Sequence, residues 1–233
     1  MRVYTAVFGN YDLLRPKTYF SKEVESVEHV CFSDCPIDAP GWNVIVGEPP
    51  IEGTSRMRAK WFKLHSHLLF PDENSLYLDG NYRLTRNPDY LDSYITEGVH
   101  GMSSDLILFR HYANNLREEF ERCLEKLRKN GPQVCKDIRR QREAYERDYD
   151  PRHITLYQGS ALIRGPGANS FNEMWWEHVN EYSVRDQLSL AMVAHVTKVN
   201  YSVLPGPSLD SFCIVKKASK HNEVETGIYD KFL

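Results

Sequence analysis

Apolar residues along the chain fall into short runs, each closed by a glycine, a proline or an acid. Val3 to Phe8 reads as a first buried strand. His29 to Phe32 is a second apolar run, ending in Ser33 and Asp34. Trp42 to Val46 is a third, stopped by Gly47 and Pro49-Pro50. Leu76 to Leu78 is a fourth and breaks off at Asp79, Gly80 and Asn81. Asp105 to His111, Ile154 to Ile163 (with Gly159-Ser160 inside it) and Val199 to Leu204 follow as later strands.

Between these runs the period changes to that of a helix. Thr54 or Ser55 caps a helix with Met57, Trp61, Leu64, Leu68 and Leu69 on one face and Pro71 just beyond its end. Tyr90 to Ile95 reads as helical. Asn114 caps a longer helix with Leu116, Phe120, Cys123, Leu124 and Leu127 on one face, and Gly131 stops it. Pro132 opens a polar helix to about Asp148, with Val134, Ile138 and Tyr145 as its apolar seam. The pair, about 114–150, reads as a helical-hairpin insertion on the edge of the domain. Asn169 or Ser170 caps a helix facing inward through Phe171, Met174, Trp175, His178, Val179 and Tyr182. Ser183 and Asp186 are spaced as a capping box at the start of the last helix. Strands interleaved with helices predict a single α/β domain over 1–233, a Rossmann-like three-layer arrangement around a mostly parallel sheet.

Composition narrows the class. The chain has 233 residues, net charge -3, 26% charged residues and 12% aromatics. That is a globular chain with ample core, and its near-neutral balance points to no nucleic acid as a general ligand. No apolar run approaches the ~18 residues of a membrane span. Cys31, Cys35, Cys123, Cys135 and Cys213 form an odd set without CxxC spacing, which predicts reduced thiols and a cytoplasmic protein.

The chemistry is concentrated where the strands end. Asp79 follows a buried strand, and Gly80 lets a ligand approach the backbone, a placement suited to a divalent cation and phosphate oxygens. Asp-Gly between apolar alternations is equally a hairpin turn, and these residues alone leave the two readings level. Arg56, Arg58, Lys60 and Lys63 crowd the start of a helix, where the dipole favours acids. Cations there suit an anion such as a diphosphate, or simply form an exposed basic face. Gly9-Asn10-Tyr11-Asp12 is a tight turn that could serve a nucleotide or be only a turn.

The order of these pieces resembles a known family. A first strand into Gly-Asn-Tyr-Asp, a strand ending Phe-Ser-Asp, Arg-x-x-Lys on a helix, then Leu-Tyr-Leu-Asp-Gly-Asn, Phe-Arg-His, Gln-Gly-Ser-Ala-Leu-Ile-Arg and Arg-Asp-Gln-Leu-Ser resembles GT-A-type glycosyltransferases. Most similar is the glycosyltransferase-like domain of plant cell-wall and bacterial polysaccharide proteins, over roughly Val3 to Leu204. The resemblance implies a nucleotide-diphosphate sugar as donor, a UDP-sugar foremost, and Mn²⁺ or Mg²⁺ as cofactor. It implies Asp79 and Asn81 as metal ligands, with Asn81 where the family motif has a second acid, and His221 as a late ligand. Thr5, Gly9, Asn10, Tyr11 and Asp34 would border the nucleoside, and Arg58, Lys60, Lys63 and Gly80 the diphosphate. Gln158, Gly159, Arg185 and Gln187 would meet sugar or acceptor. Asp186 would be the catalytic base or sugar-orienting acid. The implied acceptor is a glycan or lipid-linked sugar. Rival readings are a phage-type transferase acting on a DNA base, with nucleic acid as acceptor only, and a non-catalytic carbohydrate-binding or scaffold module. A nucleotidyltransferase ranks lower, because the first turn lacks extra glycines and a nearby lysine.

Overall fold

In the computed structural model, which describes residues 1–14, 17, 27–85, 88–98, 101, 103–127, 132–204 and 214–216, alternation along the first strand divides its side chains between the two faces of a sheet. In β1 (Arg2–Val7), Tyr4 and Ala6 enter one buried cluster and Val3 another. β2 (His29–Ser33) and β3 (Asn43–Val46) lie parallel beside it. Thr54 caps α1 (Ser55–Leu64), its hydroxyl accepting from the Met57 amide at 3.1 Å.

The helix expected to reach Leu69 is broken at His65, which leaves helical geometry with φ -112 and ψ 40. Its ring stacks on Trp61 at 4.6 Å, and Nδ1 lies 2.7 Å from the Trp61 carbonyl oxygen. Only a short turn, α2 (Ser66–Leu69), follows, so Leu68 is 60% exposed instead of joining the buried face. Phe62 supplies the buried contact instead, stacked on Phe32 at 4.4 Å and on Phe8 at 5.4 Å.

β4 (Ser75–Leu78) is buried along its whole length, parallel to β1 on one side and antiparallel to a later strand on the other. The hairpin reading of Asp79-Gly80 is thereby overturned. β5 (Tyr82–Leu84) does not return along β4 but pairs with the distant β10 (Ile214–Lys216). α3 (Asp89–Thr96) covers one sheet face through Leu91 and Ile95. β6 (Leu106–Asn115) runs directly into α4 (Leu116–Leu127), whose cap is Asn115 and not Asn114: the Asn115 Oδ1 accepts from the Glu118 amide at 3.0 Å.

α5 (Pro132–Asp148) completes the helical hairpin. Leu116, Phe120, Cys123, Cys135, Ile138 and Tyr145 form a third apolar cluster with Leu188, Ala191 and Met192, so the hairpin packs against the last helix. The run expected as one strand over 154–163 is two. β7 (Thr155–Tyr157) pairs with β6 only, and β8 (Ala161–Arg164) lies between β4 and β6. Gln158, Gly159 and Ser160 form the bend between them.

α6 (Asn169–Glu181) begins without a side-chain cap. α7 (Asp186–Val196) also lacks one. The expected capping box is absent because the Ser183 hydroxyl donates instead to Gln141 Oε1 of α5, at 2.5 Å. β9 (Tyr201–Leu204) runs parallel to β6. The main sheet therefore has the order β3-β2-β1-β4-β8-β6-β7, with β9 also on β6. It is a mixed α/β fold with a central, mostly parallel sheet. Among the described residues, no helix is long and apolar enough to cross a membrane.

Candidate active site

β2 and β4 lie parallel to β1 on its two sides, so the carboxyl ends of the three share one edge. β8 runs against β4, which brings its start to the same edge: the Asp79 amide donates to the Ser160 carbonyl at 2.9 Å. Ligands of open α/β sheets bind at such an edge.

At the exit of β1, Gly9 and Asn10 both take left-handed backbone, with φ 64 and φ 54. The turn points the Gly9 amide at Asp34, beyond β2, and donates to its Oδ2 at 2.8 Å. Arg58 approaches the same Oδ2 at 3.8 Å, is paired with Glu48, and lies over the Phe8 ring at 5.7 Å. The other oxygen of Asp34 is buried without a partner. Tyr11 is exposed at this rim. Thr5 is not at the rim. It sits in mid-strand opposite Cys31, 1% exposed, with its hydroxyl unpaired.

The centre of the edge is an ionic cluster. Lys60 and Lys63, one turn apart on α1, both reach Asp186, at 2.6 Å to Oδ1 and 2.7 Å to Oδ2. Lys63 also touches Asp79 Oδ1 at 3.3 Å, and the Tyr77 hydroxyl donates to that oxygen at 3.1 Å. The basic start of α1 is thus explained in part: two of its cations are buried counter-ions.

Burial alone would raise the Asp186 carboxyl, but the two lysines outweigh it and hold the group well below the usual carboxylate range. Burial pulls Lys63 down, and Asp186 with Asp79 more than reverses this. For Lys60 burial prevails over Asp186, and its value falls to about 7. Tyr77 is pushed well above its ordinary value by burial and by the carboxylates of Asp79 and Asp186.

Neighbouring groups fix this cluster. Gln187 accepts from the Gly159 amide at 2.9 Å and donates to the Tyr157 carbonyl, so it clamps the bend between β7 and β8. Gln158 is turned outward, its amide donating to the Arg110 carbonyl at 2.9 Å. Arg185 leans away towards Glu119 of α4, at 3.8 Å. Gly80 is required for space: a Cβ there would lie 2.9 Å from the Asp12 Cβ and 3.0 Å from a Val7 methyl.

Asn81 is 7% exposed, and its Oδ1 is buried with no hydrogen-bond partner. An orphaned amide oxygen two residues after the Asp79 carboxylate suits a hard divalent cation. Among the described residues, no three His, Cys, Asp or Glu side chains gather as a metal group. Asp79 and Asn81 would therefore share such an ion with phosphate oxygens and water, the manner in which Mg²⁺ is commonly held. His221 lies outside the described residues.

Sequence reasoning missed several residues here. Arg164 is 1% exposed and donates to the Lys63 carbonyl at 2.8 Å, to Asn172 at 3.0 Å and to the Tyr4 hydroxyl. Tyr4 donates to the same Lys63 carbonyl at 3.1 Å. Trp175 donates from Nε1 to the Asp186 carbonyl at 3.0 Å. In the sequence Arg164 shows only as the cation that closes an apolar strand and the Gln-Gly-Ser-Ala-Leu-Ile-Arg block. Asp12, which the sequence presents only as part of the Gly9-Asn10-Tyr11-Asp12 turn, packs against Gly80.

A mostly parallel sheet with acids and lysines gathered at its carboxyl edge presents them where open α/β domains bind their ligands. Residues 40–207 match the model of the TOD1/MUCI70, glycosyltransferase-like domain, and the chain belongs to that family. No curated protein matches its sequence. Among solved structures, mouse xyloside xylosyltransferase 1 in its apo form aligns at TM-score 0.46 and 10% identity, over 87% of this chain and 84% of that one. The galactosyltransferase LgtC, in complex with donor and acceptor sugar analogues, aligns at TM-score 0.48 and 11% identity, over 99% and 82%. A glycosyltransferase involved in glycosylating the major capsid of PBCV-1 aligns at TM-score 0.39 and 12% identity, over 83% and 86%.

Proposed function

We propose that the protein transfers a sugar from a nucleotide-diphosphate sugar, a UDP-sugar foremost, to a glycan or lipid-linked acceptor. The observation that carries this reading is the bridge Asp79–Lys63–Asp186, which joins a strand exit, a helix and a distant helix start at one edge. Family membership supports the class of reaction.

In this reading the Gly9-Asn10 turn and Asp34 border the nucleoside, and Arg58 faces the diphosphate. Asp79 and Asn81 would hold Mn²⁺ or Mg²⁺. When bound, such an ion supplies positive charge against the departing diphosphate. Asp186 meets the sugar. Because two lysines hold its carboxyl far down, it is a weak base, and its fitted role is electrostatic: it opposes the positive charge that grows on the sugar and orients its hydroxyls. Gln187 and Gly159 border the same space through the bend they share.

A panel of UDP-, GDP- and TDP-sugars, with and without Mn²⁺, tests the reading by thermal shift and by hydrolysis. At least one donor is expected to raise Tm, more so with Mn²⁺. Asp79→Asn and Asp186→Asn are each expected to remove hydrolysis. A folded protein that neither binds nor hydrolyses any of these donors would overturn it.

A further inference from the structure

We propose that Lys63 is a resident cation that competes with the divalent metal for Asp79, so that the metal enters together with the diphosphate and not ahead of it. The inference rests on the reading of Asp79 as a metal ligand.

The geometry supplies the reason. Asp79 Oδ1 already accepts from the Tyr77 hydroxyl at 3.1 Å and faces the Lys63 ammonium at 3.3 Å. Lys63 cannot swing away freely. Its side chain is 6% exposed, it lies 5.0 Å from the Tyr77 ring centre and 5.8 Å from that of Trp175, and Asp186 holds it at 2.7 Å. Its backbone carbonyl is fixed by Tyr4 and Arg164. A Cβ on Gly159 would come within 3.7 Å of its ammonium, so the bend between β7 and β8 closes over it.

A dication on Asp79 therefore meets a fixed like charge in a partly desolvated place, where repulsion is strong. A diphosphate brings compensating negative charge, which can draw on both cations at once. Lys60 would keep Asp186 paired if Lys63 were neutralised, because it holds the other carboxylate oxygen. The charge of Lys63 is thus separable from the folding of the cluster.

Titration of Mn²⁺ into the protein, followed calorimetrically and by the spin-resonance signal of free Mn²⁺, tests the proposal without any turnover. Wild type is expected to bind Mn²⁺ weakly alone and about tenfold or more tightly with UDP present. Lys63→Met is expected to bind Mn²⁺ alone about tenfold or more tightly than wild type, and to lose most of the UDP effect. Lys63→Gln, which keeps a polar uncharged side chain at the same place, carries the same expectation should the methionine variant fail to fold. Asp79→Asn is expected to abolish the tight binding in either background. Unchanged or weaker Mn²⁺ binding in a folded neutral variant overturns the proposal, as does tight binding that survives Asp79→Asn. Thermal shift of wild type by the UDP-sugar panel separates the two failures: if a donor binds while Mn²⁺ ignores Lys63, this inference alone falls.

Discussion

Lys60 meets Asp186 at 2.6 Å, tying the second turn of α1 to the first residue of α7. With Lys63 at 2.7 Å, the acid sits between two buried ammonium groups. The Asp186 carboxyl lies well below its ordinary value in the folded protein, so its contribution to stability is present above about pH 4 and lost as pH falls below that. Removing it leaves two buried cations without their shared partner. Asp186→Asn is therefore expected to cost about 3–5 kcal/mol at pH 6, measured by urea unfolding.

The same variant carries a pH signature. Lys60 sits at about 7 when folded, below its unfolded value near ~10.4. Between those values the unfolded chain binds more protons, so stability rises with pH across that window. Without the Asp186 charge the folded value falls further and the window widens. Unfolding at pH 6, 7.5 and 9 is expected to show a steeper rise in Asp186→Asn than in wild type. Parallel curves would mean that Lys60 does not sense the carboxylate.

Gly80 is held by space, not by an unusual backbone. A methyl there meets the Asp12 Cβ at 2.9 Å and a Val7 methyl at 3.0 Å, both anchored atoms. Gly80→Ala is expected to cost about 1–3 kcal/mol and to displace the turn that carries Asp79 and Asn81. At Gly47 an added methyl meets nothing within 4 Å. Gly47→Ala should thus change stability by no more than about 0.5 kcal/mol. Thermal melts of the pair separate crowding from a general loss of glycine.

Gln187 works through both ends of its amide, accepting from Gly159 and donating to the Tyr157 carbonyl. Gln187→Glu keeps the acceptor and loses the donor. A cost of about 1–3 kcal/mol is expected from the carbonyl left without its partner. Gln187→Leu removes both contacts and should cost more. Equal losses in the two variants would show that only the Tyr157 contact matters.

The architecture was largely legible in the sequence because it is written in short-range signals. The apolar runs at Val3 and Leu76 mark buried strands, and Thr54 marks a helix start; each needs only its neighbours to be read. The errors arose where a distant partner overrode a local rule. Ser183 left its expected cap for Gln141 of the hairpin, whereas His65 broke its helix through a near contact, stacking on Trp61 one turn before it. The run over 154–163 split because its first half lies on one side of β6 and its second lies on the other, between β6 and β4. At the edge, the excess of cations on α1 was visible, but their burial was not, since nothing near Lys60 and Lys63 announces an acid as distant as Asp186. Thr5 shows the converse: the resemblance implies the rim, and the residue lies buried in mid-strand.

The support beneath Lys63 was the least legible feature, and it yields the sharpest test. Arg164 and Tyr4 both donate to the Lys63 carbonyl, at 2.8 and 3.1 Å. Arg164→Met removes one donor and also relieves the burial of a guanidinium that no carboxylate pairs among the described contacts. Tyr4 still satisfies the carbonyl, so the single variant is expected to cost only about 1–3 kcal/mol. Tyr4→Phe alone should likewise be modest, because Arg164 remains. The double variant leaves the carbonyl buried and orphaned, so its cost should exceed the sum of the singles by about 1–3 kcal/mol. Simple additivity in this cycle would mean that the two donors are not sharing the load, and that Lys63 is held in place chiefly by its bonds to Asp186 and Asp79.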